Sequence, residues 1–343
     1  MQSKSEANDL LDQDGPETVR MSVAEAMQMG VTAFQRLRYT AEEARIITSH
    51  LIDCALCGYM PYGLPRILHI AEDEKTGKVR TPVKVIHETP FSALMDGGNN
   101  VGYLAVYHAA QTALAKVRTS GLAVVGMHNS FFSGRNSFHV EEIVKAGYVA
   151  IHTSSAPVRA LPPGGKSPAV GTNPICFGFP SDNGPVIVDM GTSSIMWGDI
   201  ILHAFMKTPV PEGTCFDSEG LPTRDAEEAL KGGMGTFGGH KGFGIALAVQ
   251  ALGLLAGAPM TRGNIRDYGF LFLAVDPEVM FPGGRKTFST QMAELIRQIK
   301  ATPLQPGVDE IRIPSERSFR ERERRLKEGI LLERKVVEAI KAL

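Results

Sequence analysis

The 343-residue chain has no excess of either charge: 36 Lys and Arg stand against 37 Asp and Glu, a formal net charge of −1. Nothing basic recruits nucleic acid or an anionic membrane surface. No apolar run reaches the roughly eighteen residues that a membrane-crossing helix needs. The opening stretch 1–20 is polar and lacks the apolar centre of a signal peptide. It reads as a flexible tail, with the cytoplasm as the expected location. Cysteine is scarce: Cys54, Cys57, Cys176 and Cys215 are too few for a disulfide framework. Cys54 and Cys57 form a C-x-x-C, but no second pair offers zinc spacing, and a helix rather than a strand precedes them. Core thiols are expected there, and a metal or redox site on that pair is the competing reading. Two nucleotide signatures are also missing. There is no strand-GxGxxG-helix unit and no G-x-x-x-x-G-K-[ST], so neither a Rossmann site nor a P-loop is supported.

What is present is a hydrophobic content of 43%, enough for a large core and more than one domain. Thr40-Ala-Glu-Glu43 is a capping box, and Ala44, Ile47, Leu51 and Ala55 recur at helical spacing until Gly58 stops the helix. Tyr59 to Arg66 (YMPYGLPR) is punctuated by two prolines and a glycine and reads as a loop. A helix over 104–118 precedes a buried strand at 121–127, a polar aromatic loop over 129–138, a short helix at 139–146 and a strand at 148–152. The Pro/Gly-rich stretch 156–174 is a functional loop by its length. Strands follow at 175–179 and 185–189. Residues 232–244 carry seven glycines and run into an apolar helix over 245–256. Such a turn lets backbone N–H groups approach an anion. A strand at 270–275 and one charged helix from Ser318 to Leu343, with ERERRLKE on a solvated face, complete the reading.

Four segments together resemble the malate/L-lactate dehydrogenase-like family: GTNPICFGFP (171–180), VIVDMGTSSIMWGD (186–199), GLPTRDAEEALKGG (220–233) and FGGHKGFGIALAVQALGLLAGA (237–258). Gly198-Asp199 and the FGGHKG form are most similar to its Δ1-piperideine-2-carboxylate/Δ1-pyrroline-2-carboxylate reductase branch. The resemblance implies an α/β fold with a non-Rossmann, largely antiparallel cofactor domain. It also implies helical N- and C-terminal segments packed together, and a homodimer. The expected parts are a tail to residue 20, a helical segment over 21–80, an NAD(P)-binding domain over 81–265 and a C-terminal strand-and-helix segment over 266–343. By resemblance, Ser154, Ser155, Asp189-Met190-Gly191, His240-Lys241 and Ser315-Glu316-Arg317 surround NADP or NAD, with NADPH favoured. Arg66 and Thr172 bind the carboxylate of a small substrate, and the helix over 40–57 and the C-terminal helix meet in the dimer.

The pattern breaks where the chemistry lies. The family's D-x-x-G-x-x-S-H-G-x-x-R reads Asp53…Gly58 to Arg66 here, with Pro61-Tyr62 in place of Ser-His. In the family that His is the proton donor, and in the imine-reductase branch the Ser works in a relay with the Asp matching Asp199. A second motif, N-S-x-H-F-G, has Phe132 in place of its His. Three readings compete. Tyr62 replaces the imidazole as acid beside a cation, with Asp199 as the second catalytic group. Alternatively, an iminium substrate brings its own proton, or the chain binds cofactor without turnover. His128, His139 and His152 are candidate substitutes if the 128–139 loop covers a pocket. The phenylalanines Phe131, Phe132 and Phe138 suggest a larger or more apolar substrate than lactate or malate.

Overall fold

A computed structural model describes residues 15–73, 76–259 and 268–343. Strand β1 (Thr18–Met21) leads into α1 (Val23–Arg36) and α2 (Ala41–Leu56), then a 3-10 turn at Met60–Tyr62 and α3 (Arg66–Glu72). The middle of the chain holds β2 (Lys84–Glu88), β3 (Ser92–Val101), α4 (Gly102–Ser120), β4 (Leu122–Phe131), α5 (Asn136–Lys145) and β5 (Val149–Ser154). It continues through β6 (Ile175–Phe179), β7 (Val186–Met190), α6 (Trp197–Phe205), β8 (Cys215–Phe216), β9 (Pro222–Thr223), α7 (Ala226–Lys231), β10 (Gly233–Met234) and α8 (His240–Leu255). Then come β11 (Phe270–Val275) and α9 (Gly284–Lys300), followed by α10 (Glu316–Glu328), β12 (Ile330–Glu333) and α11 (Arg334–Ala342). Two compact units result: Arg80–Ala301 is one, and the segments before and after it form the other.

In the terminal unit β1 pairs antiparallel with β12, α10 packs on α2, and α11 packs on α1 and α3. The reading of 1–20 as a tail therefore ends early, because Thr18 to Met21 is a strand; residues 1–14 lie outside the described residues. The single C-terminal helix is also corrected. Gly329, at φ 91°, breaks it, and the apolar Ile330-Leu331-Leu332 that follows is buried by pairing with β1. The Thr40 capping box forms, with Thr40 Oγ1 accepting from Glu43 N at 3.3 Å and Glu43 accepting from Thr40 N at 2.8 Å. Ala44, Ile47, Leu51 and Ala55 are all buried, and α2 packs against α1 and α10 of its own unit. That face is not free to meet a second copy. Cys54 and Cys57 are buried on the same helix.

The central unit is built on a seven-stranded sheet ordered β2-β3-β4-β11-β5-β6-β7. Every neighbouring pair is antiparallel except β3 with β4. Strand 270–275 therefore belongs to the middle of this unit, not to a C-terminal segment starting at 266. It is held there by pairing along its full length with β4 and β5. The loop expected over 129–138 shrinks to 132–135, because β4 extends to Phe131 and α5 begins at Asn136. Among the described residues no helix is long and apolar enough to cross a membrane.

One row of residues crosses the sheet in register: Val125, Phe272, His152, Cys176 and Asp189. Its neighbours on the same face, such as Gly178, press on Val140 and Val144 of α5. His152 is thus a core residue. Its ring stacks on Phe272 at 3.9 Å, and Nδ1 lies 3.1 Å from the Leu271 carbonyl. Burial lowers its pKa to about 4, and the hydrogen bond to Leu271 opposes this. His139 is buried as well. These two are therefore structural side chains rather than substitutes for the family's imidazoles.

A histidine held neutral in the fold but free to protonate when unfolded costs stability in acid. The loss begins below pH 6.5 and grows until about pH 4, reaching about 3 kcal/mol. Urea unfolding between pH 7 and pH 4.5 should show this slope, and His152→Phe should flatten it by about one proton.

Candidate active site

Three motif loops of the central unit are tied together by backbone and amide hydrogen bonds. Thr192 donates to the Thr172 carbonyl through both N, at 2.8 Å, and Oγ1, at 2.9 Å. The Thr192 carbonyl accepts from Phe237 N at 3.0 Å, and Ser194 N donates to the Gly235 carbonyl at 2.8 Å. Asn173 closes the arrangement: its Oδ1 accepts from Ala156 N at 3.0 Å, and its Nδ2 donates to the Ala246 carbonyl at 2.8 Å and to Gln250 at 3.1 Å. It is fully buried and sits at φ 31°, a backbone region that asparagine enters more readily than most residues. In the sequence this asparagine stands only within the Pro/Gly-rich stretch 156–174, and nothing local marks it as a clamp.

The glycine-rich turn reverses the chain through Gly238 and Gly239, both at positive φ, and α8 starts at once with His240. The helix therefore begins five residues before its expected start. Gly242 in its first turn leaves no room for a side chain, since a Cβ there would stand 2.3 Å from the Phe237 carbonyl. Between α8 and strands β6 and β7 lies an open groove of about 450 Å³. Ile175, Phe177, Ile245 and Val249 give it an apolar floor, and Met190, His240 and Lys241 also line it. Three expected cofactor residues thus meet there. Flat apolar rings fit such a floor, and an anion fits the exposed His240 and Lys241 at a helix N-terminus.

Asp189 precedes Met190 on β7 and turns to the opposite face of the sheet. Its carboxylate accepts from Ser137 N and Ser137 Oγ, each at 2.8 Å, at the start of α5. Burial raises its pKa, opposed by the Ser137 bonds and by Arg135, which itself donates to Ser137 Oγ at 2.7 Å. Ser154 and Ser155 are buried, and Ser155 Oγ accepts from Gly269 N at 2.8 Å where the chain enters β11. Their hydroxyls serve internal bonds. Asp199 lies half-buried in the first turn of α6, on a helix rather than at a strand end. Two residues before it, Trp197 stacks under the Arg159 guanidinium at 4.3 Å.

In the terminal unit, Tyr62 ends the 3-10 turn and Arg66 opens α3. The expected loop is thus partly helical. The Arg66 guanidinium carbon lies 5.4 Å from the centroid of the Tyr62 ring. Ser315, at φ 69°, and Glu316, which accepts from Ile313 N at 3.1 Å, build the turn that starts α10, with Arg317 exposed beside them.

The malate/L-lactate dehydrogenase family model matches residues 21–341. The chain belongs to this family. It is 30% identical to the malate/(S)-sulfolactate dehydrogenase of Methanothermus fervidus, covering 94% of this chain and 96% of that protein. It is also 30% identical to the Δ1-pyrroline-2-carboxylate/Δ1-piperideine-2-carboxylate reductase of Pseudomonas aeruginosa, over 92% of this chain and 96% of the relative. The solved sulfolactate dehydrogenase of Methanocaldococcus jannaschii superposes with a TM-score of 0.86 at 27% identity, covering 94% of this chain and 96% of that one. The chain is a nicotinamide-dependent oxidoreductase.

Removing the Asn173 amide strands a buried N–H and a buried carbonyl. Asn173→Ala should cost about 3 kcal/mol in urea unfolding and should weaken cofactor binding in proportion to the loosened turn.

Proposed function

We propose that this family member reduces a C=N or C=O carbon next to a carboxylate, with NADPH as the preferred donor, in the cytoplasm. The observation that carries the cofactor part is the groove at α8. Among the described residues its lining includes His240 and Lys241 and no carboxylate, and Asp189 faces Ser137 on the other side of the sheet. A ribose 2′-phosphate would therefore meet the Lys241 ammonium and the His240 ring. Met190-Gly191, with Ser154, Ser155 and Ser315-Glu316-Arg317, completes the cofactor residues of this reading. The cofactor domain is not a Rossmann domain in this proposal. The almost wholly antiparallel sheet supports that, as does a glycine-rich turn opening α8 without a GxGxxG unit.

The bound nicotinamide supplies the hydride. Arg66 holds the substrate carboxylate, for which its planar fork offers two parallel N–H groups, and Thr172 is the second substrate-binding residue of this reading. Tyr62 gives the proton to the developing alkoxide or amine. The guanidinium over its ring stabilises the phenolate that remains. Asp199 is the second catalytic group. An iminium substrate already carries its proton, so it depends on Tyr62 less.

A second copy is part of this reading, although not on the face of α2. Beyond its first turn α8 is apolar apart from Gln250, yet Leu247 is 54% and Leu255 68% exposed. A helix of that composition is ordinarily covered. Sedimentation at micromolar concentration should give twice the 37.1 kDa chain mass, and Leu255→Glu should shift the species toward monomer.

Kinetics with a panel of keto and imino acids tests the chemistry. Tyr62→Phe should lower kcat on a carbonyl substrate roughly a hundredfold and spare KM. Arg66→Ala should raise KM instead. Lys241→Ala should weaken NADPH roughly tenfold and NADH less, read from quenching of Trp197, the one tryptophan of the chain. Equal losses for both cofactors would remove the case for a 2′-phosphate contact.

A further inference from the structure

Arg325 departs from the solvated pattern of its helix. Within ERERRLKE it is only 6% exposed. Its Nη1 crosses to the end of α2, donates to the Ala55 carbonyl at 2.9 Å and lies against the Met60 sulfur. Its Nε binds Glu321, which Arg324 holds in turn at 2.6 Å. α2 has no basic residue in its own last turn. Arg325 therefore supplies the cation that a helix C-terminus favours. A second bridge, Arg322 to Asp53 at 3.0 Å, joins the same two helices.

What distinguishes Arg325 is the turn it touches. Met60 opens the 3-10 turn that ends with Tyr62, and four residues later Arg66 lies over the Tyr62 ring. The turn has no slack toward α2, since a Cβ on Gly63 would stand 2.9 Å from the Ala55 Cβ. A shift of Arg325 is thus passed to Met60 and on to the ring and guanidinium behind it.

We propose that Arg325 is a positioning residue for Tyr62 and Arg66. Its planar fork couples the last turn of α2 to the Met60–Tyr62 turn and sets where the phenol and the carboxylate-binding guanidinium stand. The inference rests on the reading of Tyr62 and Arg66 as substrate contacts. A lysine keeps the charge but cannot hold Glu321 and Ala55 at once with a rigid fork.

The test is steady-state kinetics of Arg325→Met, Arg325→Lys, Arg322→Met and Arg66→Ala, each full-length and saturated with NADPH. The substrate is the keto or imino acid on which the parent turns over fastest. Arg325→Met should raise KM at least roughly tenfold and lower kcat, the scale of a small misplacement of reacting groups. NADPH affinity, read from Trp197, should stay at the parental value. Arg325→Lys should fall between. Arg322→Met loses a bridge between the same helices and should keep parental kinetics even where its Tm drops. Equal kinetic changes in Arg325→Met and Arg322→Met, or none in either, overturn the proposal. If Arg325→Met does not fold, Arg325→Lys decides: a raised KM supports the proposal and a parental KM overturns it. Parental KM in Arg66→Ala overturns the substrate reading itself, and the positioning role with it.

Discussion

The seat of β11 between β4 and β5 is the constraint on which the central unit depends. β4 and β5 follow one another in the chain, yet a strand from far downstream separates them and bonds to both along its length. α5 must then span the gap between β4 and β5, which puts it on one face of the sheet. α8, the helix preceding β11, packs on β5 and β11. Its glycine-rich start is thereby brought to the ends of β6 and β7, where the groove opens. A change of side-chain volume in β11 would be felt at α4 and α8, which both pack on it, because interiors are packed too densely to absorb it locally.

Buried polar groups do the finer placing. Asn173 and Ser155 are removed from solvent and Asp189 is half-buried, and each spends its side chain on a backbone N–H group of another segment. An unpaired buried amide or carboxylate would cost more than the bonds it makes return in water, so these contacts specify one arrangement of the loops rather than adding much net stability. Two of the three lie in stretches expected to contact the cofactor. Asp189 ties β7 to α5, and its neighbour Met190 lines the groove.

The residues proposed to bind the substrate carry a different chemistry. At the position where the resemblance leads one to expect Ser-His, this chain carries Pro61-Tyr62, and the 3-10 turn they form places an aromatic ring beside the Arg66 guanidinium. A proline at the start of such a turn restricts the backbone, which suits a ring that must be held rather than free. His152 on the sheet and His139 on α5 are both buried in the core, where they serve packing.

Local chemistry was legible in the sequence by itself. The Thr40–Glu43 box, the strands at 175–179 and 270–275, the glycine-rich turn that opens α8 and the family motifs are written in adjacent residues, where capping, propensity and spacing act. Only the tertiary structure decided which side of the sheet Asp189 takes against Met190, since that parity follows from strand registers set across the whole unit. It also decided that the apolar face of α2 is consumed by α1 and α10, that Gly329 divides the last helix, and that Arg325 in a charged run is buried. A helical pattern states that a face is apolar or charged. Which partner covers that face depends on residues more than two hundred positions away, as Ala55 and Arg325 are, and no local spacing carries that information.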